Sequence, residues 1–121
     1  MAKGINHFRG VYMKDELLKS KSTENAIVNL DISKNSGTHW VCYYKYKKNY
    51  AVYFDSYGVQ PPIEIVNYLN CKNIQYNETK IQRYDDPPVC GHLCLIVLKL
   101  LSCGLNFCDI LSREYLLKFL L

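Results

Sequence analysis

The chain has no internal repeat, no low-complexity tract and no uninterrupted apolar run long enough to cross a membrane. The first two absences exclude solenoid arrays and disordered linkers. The longest apolar stretch, residues 93–111, is interrupted by Lys99, Ser102, Gly104, Asn106 and Asp109. Its unbroken part falls short of the ~30 Å of hydrocarbon in a bilayer, so it is expected to be a buried core helix, with no membrane partner. The opening "MAKGINHFRG" lacks the apolar segment of a secretory signal. Excess charge is also scarce: 15 Lys+Arg against 11 Asp+Glu leave +4, which permits nucleic acid as a partner without indicating it.

What is present is an ordinary globular composition, 49% hydrophobic and 21% charged, in 121 residues. That length predicts a single domain, residues 1–121, with one real core. Six cysteines (Cys42, Cys71, Cys90, Cys94, Cys103, Cys108) are irregularly spaced and sit mostly in apolar runs. Without a secretory signal they read as thiols in a reducing, intracellular compartment, most of them buried as small hydrophobes.

A short helix is expected around residues 15–19 and a loop over "SKSTEN" (20–25). "AIVNLD" (26–31) reads as a buried strand and "SKNSG" (33–37) as a turn. "HWVCYYKYK" (39–47) and "YAVYFDS" (50–56), rich in aromatic and β-branched residues and separated by two residues, form the strongest hairpin signal. "PPIEIVNYLN" (61–70) predicts a short helix with proline at its start. "KIQRY" (80–84) is expected as another strand, and "DDPP" (85–88) as a break. "CGHLCLIVLKLLSC" (90–103) is the best helix, ended by Gly104. A last helix is expected over 112–121, capped by Ser112. Strands early and helices late give an α+β class: a small, mostly antiparallel or mixed sheet with a central buried helix.

Four side chains could share one chemistry. Cys90 begins the best helix, where unpaired N–H groups and the dipole favour a thiolate. Gly91, without a side chain, would let a substrate backbone approach. His39 opens the first hairpin strand. If Tyr46 faces Tyr50 across the turn, Asp55 faces Val41 and shares a sheet face with His39, within side-chain reach. Gln82 precedes the helix and offers a neutral donor for an oxyanion, with Gln75 as its competitor. Each has an ordinary alternative: a buried structural thiol, a surface histidine, a solvated carboxylate. Together they fill the roles of a Cys–His–acid hydrolase, the nucleophile activated by a base that the acid orients.

The order His39, Asp55, Gln82, Cys90, with "THW" (38–40), "VYFDSYG" (52–58) and "CGHLC" (90–94), resembles the adenovirus-type cysteine endopeptidases. These share a clan with the ubiquitin-like-protein proteases and are similar to proteases of Maverick/Polinton-type elements. "HFRGVY" (7–12) and "AIVNLD" (26–31) resemble the same family's N-terminal half, so the likeness covers roughly residues 7–101. It implies Cys90 as nucleophile, His39 as general base, Asp55 as acid, Gln82 as oxyanion donor and Trp40 as the aromatic that narrows the substrate channel beside Gly91. It further implies cleavage after small residues, often Gly, in structural proteins of a virus or virus-like element. Packaging in a virion, and DNA or a short peptide as activator, follow from the same likeness. The chain departs from the family in its shortness and in the spacing from Gln82 to Cys90.

Other readings stay open. Ubiquitin-like-protein removal would use the same triad. An inactive protease fold could serve as a structural or interaction protein. A zinc-stabilised domain could use Cys90, His92, Cys94, Cys103 and Cys108, although on a helix His92 points away from Cys90 and Cys94. No metal is expected. Lys45, Lys47 and Lys48 read as a solvated hairpin tip, and His7 receives no role.

Overall fold

The computed structural model describes residues 4–31, 39–83 and 89–120. Five strands run β1 (Phe8–Met13), β2 (Glu24–Asn29), β3 (Trp40–Lys47), β4 (Tyr50–Phe54) and β5 (Asn73–Tyr76). The helices are α1 (Ile63–Leu69), α2 (Cys90–Ser102), α3 (Phe107–Ile110) and α4 (Arg113–Leu117). The strands lie side by side in chain order. The inner pairs β2–β3 and β3–β4 are antiparallel, whereas β1 and β5 join the edges in parallel. The expected α+β class with a mixed sheet is what the chain adopts.

Period-two alternation explains the layering. Cys42, Tyr44, Val52 and Phe54 face one core, shared with α2, α3 and α4. Val41, Tyr43, Ala51 and Tyr53 face the other, shared with α1 through Ile65 and Leu69. Helix α2 buries Leu93, Cys94, Val97, Leu98 and Leu101 to 3% exposure or less. Each such leucine contributes roughly 1.5–3 kcal/mol of transfer free energy, enough to fix the helix on the sheet. Gly104, at φ +93°, ends it in the left-handed conformation that glycine tolerates. The Ser112 hydroxyl accepts from Tyr115 N–H at 3.0 Å, the expected cap. Among the described residues no helix is long and apolar enough to cross a membrane.

The hairpin register is the expected one over most of its length, with Cys42 opposite Phe54 and Tyr43 opposite Tyr53. At the tip an irregularity sets Lys47, not Tyr46, opposite Tyr50. The Tyr46 and Tyr50 rings still stack, with centroids 5.5 Å apart.

Several expectations are corrected. Residues 8–13 form a strand, and the helix expected at 15–19 shrinks to a 3-10 turn, Lys14–Glu16. The expected loop 20–25 ends early, because Glu24 and Asn25 already pair in β2. Residues 80–83 are not a strand; the edge partner of β4 is Asn73–Tyr76, reached through α1 as a parallel crossover. The last helix stops at Leu117 and continues as a 3-10 turn to Leu120. Only Cys42, Cys90 and Cys94 are buried; Cys71 is half-buried, and Cys103 and Cys108 are exposed. The expected turn at 33–37 and break at 85–88 lie outside the described residues.

Candidate active site

Cys90 is the first residue of α2, and no side chain caps that helix end. One turn further on, the Cys94 thiol donates to the Trp40 carbonyl at 3.6 Å. The Cys42 thiol on β3 donates back to the Cys94 carbonyl at 3.8 Å. These contacts hold the start of α2 against the start of β3, where His39 and Trp40 stand. Cys90 thereby becomes a hydrogen-bonding neighbour of the His39 ring and of the Trp40 backbone.

His39 Nε2 lies 2.9 Å from Asp55 Oδ1, which leaves Nδ1 as the ring nitrogen for the thiol. Asp55 is 1% exposed and follows the last residue of β4. Its Oδ1 also accepts the Tyr57 N–H at 2.8 Å, and the Gly58 N–H closes the turn on the Asp55 carbonyl at 2.8 Å. Gly58 is at φ +72°, and a Cβ there would meet the Glu78 carbonyl oxygen at 2.7 Å, so this turn requires glycine.

Burial by itself would lower the His39 pKa. Hydrogen bonding to Asp55 and to Cys90, with the charges of both, outweighs it and lifts the value from 6.5 to about 9. Burial likewise opposes ionisation of Cys90. Hydrogen bonding to His39, the Trp40 and Gly91 backbone N–H groups and the His39 charge outweigh it, bringing the thiol below its usual 9.0. Cys94, on the same helix face, shows what happens without such partners: complete burial pushes its pKa well above 9.0. The difference is between a thiol whose neighbours favour ionisation and one whose surroundings oppose it.

Gln82 is 1% exposed, its carbonyl oxygen accepting the Ser56 hydroxyl at 2.9 Å. The Ser56 carbonyl takes both the Ile81 and Gln82 N–H groups at 2.8 Å. Gln82 is therefore anchored to the residue after Asp55. Gln75 is engaged elsewhere: it accepts from the Tyr50 hydroxyl at 3.1 Å and donates to Cys108 Sγ at 3.0 Å. The Trp40 ring lies over Gly91, whose hypothetical Cβ would meet Trp40 Cδ1 at 3.7 Å, an ordinary contact.

Two neighbours were not expected from the sequence. The Tyr57 ring packs on the His39 ring, with centroids 4.9 Å apart. The buried Asn77 side chain grips the backbone of Asp55 from both sides. It accepts the Asp55 N–H at 3.1 Å and donates to the Asp55 carbonyl at 2.7 Å. It stands where the β4–β5 ladder ends and supplies the next rung from a side chain. An asparagine just beyond a strand was the available signal, and it is too common to be read alone.

The five proposed zinc ligands do not converge; His92 is exposed while Cys94 is fully buried. Among the described residues no group of three or more His, Cys, Asp or Glu side chains could hold a metal ion.

The five-stranded mixed sheet with a helix laid across it is a fold of the ubiquitin-like-protease type, as two solved structures show. Two crystal structures of a viral protease, pS273R of African swine fever virus (ASFV), are similar to the chain. One superposes with a TM-score of 0.64 at 16% identity, covering 93% of this chain and 58% of the protease. The other, of the selenomethionine protein, gives 0.60 at 20% identity, covering 84% and 43%. The chain thus spans about half of that protease's length, and at these identities the likeness is one of fold. No protein-family model matches the sequence, and no curated protein matches it significantly.

Proposed function

We propose that the chain is a cysteine endopeptidase of the adenovirus-type family, hydrolysing peptide bonds through a thioester. The observation that carries this reading is His39 held between Asp55, at 2.9 Å, and Cys90. The Cys90 thiolate attacks the scissile carbonyl carbon, forming a C–S bond and an oxyanion. Protonated His39 gives its proton to the leaving amine as the C–N bond breaks. Neutral His39 then takes a proton from water, which attacks the thioester; the acid product leaves, and the thiolate–imidazolium pair is restored. Asp55 keeps the ring in one orientation throughout. The Gln82 amide and the Cys90 backbone N–H are the groups assigned to the oxyanion, each worth ~10²–10³ in rate.

Trp40 over Gly91 supports a narrow approach that admits only small residues, Gly above all, beside the cleaved bond. The substrates in this reading are structural proteins of a virus or virus-like element. The test is cleavage of a Gly-containing capsid-type peptide by the chain and by Cys90→Ala. Turnover by the parent and none by a folded Cys90→Ala is expected; equal turnover by both removes the assignment. A ubiquitin-like protein with a Gly-Gly terminus, cleaved in preference to the peptide, would move the reading to deconjugation within the same clan. Adding DNA or a peptide activator to the same assay tests whether either raises the rate.

A further inference from the structure

At the opposite end of β3 from His39, the loop after the Lys14–Glu16 turn, the hairpin tip and the end of α1 enclose a hollow of about 420 Å³. Four lysines line it, Lys19, Lys21, Lys45 and Lys48, and no carboxylate does. Lys45 is the unusual one, because it is only 4% exposed. Its ammonium donates to Ser20 Oγ at 2.9 Å and to the Leu69 carbonyl at 2.8 Å, both neutral groups. The ion pairs among the described residues are Arg9–Glu24, Lys14–Glu64 and His39–Asp55, and none includes these four lysines.

Glu24 stands opposite Lys45 in the ladder, but its carboxylate is taken by Arg9, the Tyr43 and Tyr68 hydroxyls and the Lys21 N–H. Lys45 therefore makes no ion pair among the described residues, and its ammonium is held by the Ser20 hydroxyl and by the Leu69 carbonyl at the partial negative end of α1. A buried cation bonded only to neutral groups carries a desolvation cost, and an anion entering the hollow would lower that cost.

The hollow is also built before any ligand arrives. Its loop is tied down by the Lys45–Ser20 and Lys21–Glu24 bonds, and by the Thr23 hydroxyl donating to the Tyr46 carbonyl at 3.1 Å. We propose that this hollow binds a compact oligoanion carrying two or more phosphate groups. A nucleic-acid strand fits less well. The lysines converge on one concavity rather than tracking a backbone, and Tyr68, the ring in the lining, is committed edge-on to Tyr43 at 5.9 Å and to Glu24. No base-stacking platform is left there. The hollow is separate from the peptidase site: Trp40 and Lys45 are five strand residues apart, or ~17 Å.

Calorimetric titration with inorganic tripolyphosphate at low salt tests this, and needs no peptidase activity. One saturable site is expected, weakened tenfold or more by Lys45→Met and by the double variant Lys19→Ala/Lys48→Ala. The controls Lys47→Ala and Lys72→Ala should change it less than twofold. Both positions of the double variant are exposed, so it carries the test if Lys45→Met does not fold. ATP, the same phosphates on a nucleoside, should bind within a few-fold of tripolyphosphate. The proposal is overturned by absence of saturable binding, by equal losses in the control variants, or by a short single-stranded oligonucleotide that binds and is not displaced by tripolyphosphate.

Discussion

Asp55 and Glu24 are both buried carboxylates near the ends of strands in one sheet, 1% and 0% exposed. Their company differs. Glu24 is saturated: a guanidinium, two phenols and a backbone N–H all donate to it, and its pKa is held below the usual 4.5 even though burial, the largest influence, pushes the other way. None of those donors exchanges protons near neutral pH. Asp55 instead spends Oδ1 on the Tyr57 N–H and on an imidazole whose other nitrogen faces a thiol. The contrast teaches that burial of a charge does not mark a reactive site. What marks it is a partner that can pass the proton on, at a place a substrate can reach; the His39 side chain retains 20% exposure.

The sharpest way to break this contrast is a pair of isosteric changes. Asp55→Asn should cut turnover by ~10²–10⁴ with the fold kept, because the imidazolium loses its charge partner. Glu24→Gln should leave turnover within about threefold while lowering unfolding free energy by roughly 1–3 kcal/mol, because buried donors lose a charged acceptor. Peptide kinetics and urea titrations of both variants are the measurements. Interchanged outcomes would mean the two roles have been assigned to the wrong carboxylates.

Asn77→Ala comes next. Releasing the Asp55 backbone misplaces the carboxylate, and a shift approaching 1 Å can cost up to ~10² in rate. The expected signature is a fall in kcat with KM nearly unchanged, and slower iodoacetamide labelling of Cys90 at neutral pH. Loss of stability with Cys90 reactivity intact would make Asn77 a structural residue only.

The pH dependence of stability sharpens the contrast further. The His39 pKa is raised, so its contribution is fully present below 6.5 and is lost as pH climbs through about 9. The Glu24 pKa is lowered, so its contribution is present above 4.5 and is lost as pH falls through the depressed value. Melting temperature should therefore decline at both extremes. Glu24→Gln should flatten the acid limb alone, and His39→Ala the alkaline limb alone, in thermal scans across pH. If Glu24→Gln flattened the alkaline limb, the linkage would be misassigned.

The smallest effect on the fold is expected at Gly91. Its Cβ would make only an ordinary contact with Trp40, so Gly91→Ala should melt within a degree or two of the parent. The methyl would stand against the Trp40 ring on the residue next to Cys90, and kcat/KM for a Gly-containing peptide should drop about tenfold or more, since added bulk at a close-fitting site strains what must pack there.

Some of this was legible from the sequence because the signals are local. Alternating aromatic and β-branched residues mark β3 and β4; the turn alone, with Lys47 opposite Tyr50, would put Asp55 on the other face from His39, and the irregularity between Lys45 and Lys47 restores the register that sets them on one face. The stripe Leu93, Val97 and Leu101 announced α2. The parallel edge strands β1 and β5 carry no hairpin turn to mark them, and "KIQRY" (80–84), strand-like in composition, forms no strand over its described residues. Asn77 and Tyr57 escaped notice because each works through the backbone or ring of a residue that only folding brings near.

Short-range periodicity in the sequence therefore determined the main elements and brought His39 and Asp55 to the same end of one hairpin, since a hairpin joins neighbouring segments; the irregularity at its tip put them on one face. Only the tertiary structure decided that Cys90 meets His39, and that Glu24 gathers Arg9, Tyr43 and Tyr68 around it. Those meetings depend on how α2 and α1 seat on the two faces of the sheet, through buried contacts between residues far apart in the chain, and no local pattern encodes them.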